Sequence, residues 1–252
     1  MKLFNAKLLK YELKSQIKNW YIPFFGLVFP IFMSQIITRN ALGDVPEGIL
    51  PYAHIKVFFS FAMYIPMCCV FLAHSNNYGY EVEREIPLRL KLFGIPEFTQ
   101  ISCRLQSVLI VSTVAIVIFC LSFFLSFETP KPSISAVAIS IAVFYLLCIS
   151  LFLLAHSLAI IIRRYEATSG IAMVIYFICL FMGGGLGLQQ NTFPKFLKTV
   201  FSIFPFYYLN ETLGGLFYKA TDTAPLFQSL IFFMLLGLAM LFIGLRQVKT
   251  RR

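Results

Sequence analysis

Three histidines, six cysteines and one dense knot of acids are the residues with chemistry to offer. His54, His74 and His156 are far apart in the chain, and none has a carboxylate at ligand spacing, so a metal site is not expected. The stretch HSLAIIIRRYEATSG puts His156 and Ser169 in one region, the pair an intramembrane serine protease would need. The residues before that serine, EAT, give no glycine-framed nucleophile turn, and Arg163 and Arg164 set a loop between the two. Cys68, Cys69, Cys103, Cys120, Cys148 and Cys179 form no CxxC, and most lie in apolar runs, where a free thiol acts as a small hydrophobe. No GxxxxGK[ST] occurs, so the chain has no P-loop for nucleotide. No catalytic residue, metal or cofactor is therefore expected in this chain.

The knot of acids is residues 76–97, NNYGYEVEREIPLRLKLFGIPE. Glu81, Glu83, Glu85 and Glu97 are four of the eleven acids in the protein, and Arg84 and Arg89 lie among them. Glu81, Arg84, Glu85 and Leu88 recur at three- and four-residue spacing, which places them on one face of a helix. Pro87 has no amide to donate, so that helix must break or restart there, and Gly94 and Pro96 end the run. Two readings stand side by side: acids that keep a loop in water, or charges that meet a partner.

The elements that hold this stretch are apolar. Of 252 residues 59% are hydrophobic, 29 are Phe and only 13% are charged, far from the balance of a soluble domain. Stretches of about 20 apolar residues read as membrane-crossing helices. Six are expected, over about 21–38, 55–74, 105–127, 134–162, 168–188 and 225–245, in one transmembrane domain covering 1–252. Pro23, Pro30 and Pro66 fall inside the first two, where neighbouring helices can satisfy the freed carbonyls. The fourth run is longer than a crossing needs, which calls for tilt or a start at the interface.

The net charge of +10 does not point to nucleic acid, because the bases are spread over loops and termini. They instead set orientation. With the N-terminus inside, the inner segments hold Lys2, Lys7, Lys10, Lys14 and Lys18, then Arg84, Arg89, Lys91 and Arg104, then Arg163 and Arg164, then Arg246, Lys249, Arg251 and Arg252. The outer segments hold only Arg39, Lys56, Lys131, Lys195, Lys198 and Lys219. Both termini and the acid knot are thus expected in the cytoplasm. The N-terminus has no continuous apolar core and no small-residue cleavage site, so it is not read as a secretory signal. Over 1–20 its lysines Lys7, Lys10, Lys14 and Lys18 line one stripe, and Leu9, Leu13, Ile17 and Trp20 lie on a neighbouring face. This pattern fits an amphipathic helix lying on the inner leaflet.

The outer stretch QQNTFPKFLKTVFSIFPFYYLNETLGGLFYKATDT is too apolar for a solvated loop. It is also too interrupted, by Pro194, Pro205 and the Gly214-Gly215 pair, for a single span. Two short re-entrant helices explain both facts, with Glu211 at membrane depth or at the headgroups. Gly183 and Gly187 form a GxxxG pair that permits close helix packing. The deep parts of all six expected spans lack Asp, Glu, Lys and Arg, and inverted repeats are missing, which argues against an ion-coupled carrier.

In EREIPLRLKLFGIP the interval from Glu85 to Pro96 resembles the cytoplasmic coupling helix of ABC exporter permeases of the type-2 (ABC-2) class. That family's pattern is roughly E-x-E-x-G-T, a basic-apolar run, then a proline. Pro87-Leu88 stands here where Gly-Thr is usual. The layout is similar too: a basic amphipathic N-terminal helix, six spans, a coupling loop after the second, and an aromatic-proline segment, SIFPFYYLNETLGGL, before the last. The resemblance implies a multi-pass cell-membrane permease that moves an amphipathic or lipophilic cargo out of the cytoplasm: a drug, an antimicrobial peptide or a lipid-linked glycan. It implies a homodimer, or a heterodimer with a similar permease, in membrane lipid, driven by separate ATPase subunits that carry ATP and magnesium. Glu81, Glu83, Arg84, Glu85 and Arg89 are then the expected ATPase contacts. The alternative is a stand-alone membrane protein, an immunity or scaffold factor or an ion-coupled carrier.

Overall fold

The computed structural model describes residues 5–42, 45–182, 194–218 and 221–250, and among these the chain is helical throughout with no strand. The helices are α1 (Ala6–Lys18), α2 (Ile22–Asn40), α3 (Leu50–Glu83), α4 (Ile86–Leu92), α5 (Glu97–Ser126), α6 (Ile134–Ile162), α7 (Tyr165–Met182), α8 (Lys195–Phe201), α9 (Pro205–Leu216) and α10 (Ala224–Thr250). Five of them, α2, α3, α5, α6 and α10, are long and apolar enough to cross a membrane. The described part of the expected fifth span, 168–188, lies in α7, whose apolar part Tyr165–Leu180 is shorter than those five and is not among them. The remainder of that span lies outside the described residues, and the Gly183/Gly187 pair lies there with it.

Two boundaries differ most from the sequence reading. The second span was expected to stop near residue 74, but α3 runs on to Glu83. The third was expected from 105, but α5 begins at Glu97. Apolar content marks only the part of a helix that lipid requires, and both helices continue past it on polar residues. Pro96, extended at φ −61 and ψ 148, caps α5, and Glu97 sits in its first turn where the helix dipole favours an acid.

Local sequence explains most of the other ends and irregularities. Asn5 caps α1, its Oδ1 accepting from the amides of Lys7 and Leu8 at 3.1 and 3.3 Å. Ser133 caps α6 in the same way, through the amide of Ala136. Wide π-type turns occupy Ile22–Val28, which holds Pro23 in its first turn and is followed by Pro30, and Met67–Leu72, just after Pro66. A proline removes one i→i−4 bond and crowds the carbonyl of residue i−4, and widening the turn re-registers the ladder around it.

The bundle is organised around α3. Of its most apolar stretch 83% is buried, against 28–39% for the other four long helices. Those four keep Phe24, Phe32, Val114, Leu121, Ile141, Leu235 and Phe242 exposed, as a lipid-facing surface would. α6 and α10 pack closely because two glycines seven residues apart on α10 let the backbones meet. A Cβ at Gly237 would lie 3.0 Å from Leu153 Cβ, and one at Gly244 3.1 Å from Ile160 Cγ2. Ser157 Oγ also donates to the Gly237 carbonyl, at 3.3 Å. A leucine at 237 must push the helices apart, and overpacking of this kind costs about 1–3 kcal/mol. Gly237→Leu is therefore expected to melt several degrees below the parent in detergent, and an unchanged melting temperature would show that the helices do not pack here.

A candidate functional site at one end of the bundle

The acid knot resolves into three separate pieces of structure. α3 ends at Glu83, and Arg84 and Glu85 form the break. Glu85 takes the left-handed conformation at φ 57 and ψ 23, uncommon for a residue other than glycine, and this reverses the chain into α4. Pro87 then falls in the first turn of α4, where its missing amide costs nothing because first-turn amides have no intrahelical partner. The expected break and restart at Pro87 is thus present, with the turn itself placed two residues earlier. Gly94, at φ 85, closes the far end of α4, and Lys91 pairs with Glu97 at 2.8 Å to tie α4 to the start of α5.

The three acids before Pro87 differ in situation. Glu81 was expected to face a partner, but it is 5% exposed and its carboxylate is bonded to Arg104 of α5. It is not a surface group, because the helix it sits on continues into the packed bundle. Glu83 lies at the surface, and its Oε2 accepts the amide of Tyr165, the first residue of α7. That bond satisfies an otherwise unpaired helix-start amide and puts a negative charge at the positive end of α7. Glu85 is exposed to solvent, as are Arg84 and Arg89, with the Arg84 guanidinium stacked 4.0 Å over the Tyr80 ring. At the other end of the bundle, Pro205 is the buried first residue of α9 and Glu211 is exposed.

Beneath α4 lies a buried polar cluster that the sequence reading did not assemble. Arg104 is 2% exposed, with Nε 3.2 Å from Glu12 of α1 and Nη2 2.5 Å from Glu81 of α3. The guanidinium also lies 4.5 Å from the centre of the Tyr78 ring. The Tyr78 ring also stacks with His156 of α6 at 4.1 Å and His74 at 5.5 Å, and Nε2 of His74 meets Nδ1 of His156 at 3.3 Å. Arg104 had been counted among the loop charges that set orientation, and the two histidines stood 82 residues apart with nothing to join them. The available signal for Arg104 was the Gly94–Pro96 stop, which implies a helix starting at 97 and carries Arg104 two turns into it.

One guanidinium between two buried carboxylates leaves an excess negative charge unless one acid holds a proton. The direct, hydrogen-bonded partner is Glu81, whereas the Glu12 contact lacks hydrogen-bond alignment. Glu12 is thus the acid that takes the proton. Burial pushes its carboxyl from 4.5 up to about 7, Arg104 opposing and the Glu81 charge adding to the rise. The sign follows. Between those two values the docked helix holds a proton that the free helix releases, so docking is fully stabilised below about pH 4.5 and weakens as pH rises through about 7. Amide exchange in Ala6–Lys18, corrected for intrinsic rate, is expected to quicken from pH 5 to pH 8, and Glu12→Gln is expected to remove the change. An equal pH response in that variant would place the proton elsewhere.

α1 meets the bundle through Leu8, Glu12 and Gln16, one residue every fourth position and so one face. Its four lysines are exposed, and so are Ile17 and, just past the helix end, Trp20, at 67% and 58%. α4 is the reverse of a packed element: none of its residues is buried, and at its end Leu92 and Phe93 are 80% and 83% exposed. Under it a cavity of about 380 Å³ opens between the ends of α3, α5, α6 and α10, with Tyr78, Arg104 and His156 among its walls. Among the described residues no group of three or more His, Cys, Asp or Glu could hold a metal ion, and what this end presents is an exposed apolar tip.

Residues 44–246 match the model of a family described as ABC-2 family transporter protein. No curated protein matches the chain.

Proposed function

The chain belongs to the ABC-2 family of transporter proteins, and from that premise we propose that it is the membrane permease subunit of an ATP-driven exporter. α4 is the docking element for a separate ATPase, which carries the ATP and magnesium. The observation that carries this is the pair Leu92 and Phe93, almost fully exposed at the tip of a helix that lies outside the apolar spans. Apolar side chains concentrated on a projecting element, beside Arg84, Glu85, Arg89 and Lys91, have the make-up of an anchor with a charged rim. The excess of bases at this end supports a cytoplasmic reading of it, with α1 along the inner leaflet and Ile17 and the following Trp20 in lipid. α7 belongs to the remaining crossing, and α8 and α9 dip into the outer leaflet. Two such permeases, identical or similar, pair in the membrane and move an amphipathic or lipophilic cargo outward.

Glu83 and Glu81 act behind the contact rather than in it. Motion imposed on α4 passes to α7 through the Glu83–Tyr165 bond and to α1 and α5 through the Arg104 cluster. The rim charges set register and encounter rate more than affinity. Reversing both Glu85 and Arg89, as Glu85→Lys with Arg89→Glu, is accordingly expected to weaken co-purification with the ATPase about tenfold, an effect that raised salt should partly mask. If the native chain purifies with no ATPase, or moves its cargo in vesicles on an ion gradient alone, the reading fails.

A further inference from the structure

A second polar cavity, of about 370 Å³, lies between α1, α3 and α7. Its walls include Ser15, Lys18 and Trp20 from the α1 side and Asn76 and Tyr80 from α3. The neighbouring amides are satisfied: Asn19 Nδ2 donates to Asn77 Oδ1 at 2.9 Å, and Asn77 Nδ2 to Gln16 at 3.4 Å. Asn76 is not. It is 3% exposed, and neither its Nδ2 nor its Oδ1 has a hydrogen-bond partner. A buried amide left without partners loses about 1–3 kcal/mol per group, so such a side chain in a cavity wall marks a place where something polar binds.

The chemistry on offer is that of an anion site. Lys18 is an exposed ammonium with no ion pair among the described residues, Ser15 offers a hydroxyl, Asn76 an amide, and Tyr80 a phenol at the rim. The one acid in the wall, Glu81, has its charge held by Arg104 and so does not repel an anion strongly. Trp20, exposed beside the opening, is the residue type that settles at headgroup level. We propose that this cavity binds the phosphate of an anionic inner-leaflet phospholipid, with Lys18, Ser15 and Asn76 as its donors. The lipid would then fill the gap between α1 and the bundle and hold α1 in place. The inference rests on reading this end as cytoplasmic, but it does not depend on an ATPase.

The test uses the full chain without the ATPase, so a failure of ATPase docking cannot be mistaken for a failure here. The chain is taken from vesicles of equal phosphatidylglycerol and phosphatidylcholine into detergent, and retained lipid is read by native mass spectrometry. Phosphatidylglycerol should be retained over phosphatidylcholine. Lys18→Gln should lower that retention about fivefold, and Asn76→Asp should abolish it by placing a carboxylate against the phosphate. Lys14→Gln, an exposed lysine that does not line the cavity, should change nothing. Lys18 packs against no core, so its variant carries the test should Asn76→Asp fail to fold. Equal loss in the Lys14 and Lys18 variants would mean diffuse surface attraction, and equal retention of the two lipids would mean no anion site. Displacement of phosphatidylglycerol by millimolar inorganic phosphate would assign the site to free phosphate. Each of these three results overturns the proposal.

Discussion

Arg104→Met is expected to destabilise the chain by about 3–5 kcal/mol, because it strands two buried carboxylates. Glu12 and Glu81 are 3% and 5% exposed, so water cannot take over the role of the guanidinium. The alternatives open to the variant are to protonate both acids or to release α1, and α1 is the cheaper element to lose, since its bundle face is only Leu8, Glu12 and Gln16. Protease cleavage within Ala6–Lys18 should therefore rise along with the fall in melting temperature. Arg104→Lys should recover little. A single ammonium cannot reach both acids while also covering the Tyr78 ring, which the planar guanidinium does. The informative variant is the triple one, with Glu12→Gln and Glu81→Gln added. Breaking an ionic cluster is costly, whereas neutralising all of it is often close to neutral, so most of the lost stability should return. A single Arg104→Met variant that melts like the parent would show that the cluster holds nothing together.

The acids of the knot show what one sequence discloses and what it does not. Their concentration was plain, and so was the break that Pro87 imposes. Their division of labour was not. Glu81, Glu83 and Glu85 alternate along two residues each, yet one is buried in an ion cluster, one caps a helix start and one is in water. The partner that decides each fate, Arg104 for Glu81 and the Tyr165 amide for Glu83, is 23 or 82 residues away. Spacing on one helix cannot report such contacts. The same limit hid the meeting of His74 with His156.

The apolar spans were legible for the opposite reason. Lipid imposes a length and a composition on any helix that crosses it, whatever its neighbours are. The prediction from that signal stopped where the signal stopped, at residue 74 rather than Glu83 and at 105 rather than Glu97. Those unread turns are where α3 and α5 carry Glu81, Glu83 and Arg104, so the candidate site is built from the part of each helix that hydropathy does not mark. The order of elements, on the other hand, was sufficient to place the chain by resemblance in the family that its residues 44–246 match.

Leu92→Asp together with Phe93→Asp is expected to abolish assembly with the ATPase, by a hundredfold or more, while the permease inserts and melts as before. The two halves of this expectation have separate causes. Both side chains are at least 80% exposed, and no residue of α4 is buried, so the packing of the described residues does not depend on them. In a complex they would be the apolar anchors, and losing such anchors costs about 2–4 kcal/mol each, with the added cost of desolvating two carboxylates at the contact. The rim reversal at Glu85 and Arg89 should do far less, because exposed ion pairs contribute about 0.2–1 kcal/mol and are screened by salt. The ranking of the two variants is thus itself a test of how α4 is used. A larger loss from the rim variant than from the tip variant would mean that the ATPase reads charge along α4 and leaves Leu92 and Phe93 for another partner. An unchanged assembly in both would remove α4 from the interface altogether, and with it the route by which Glu83 and Arg104 could pass motion into the bundle.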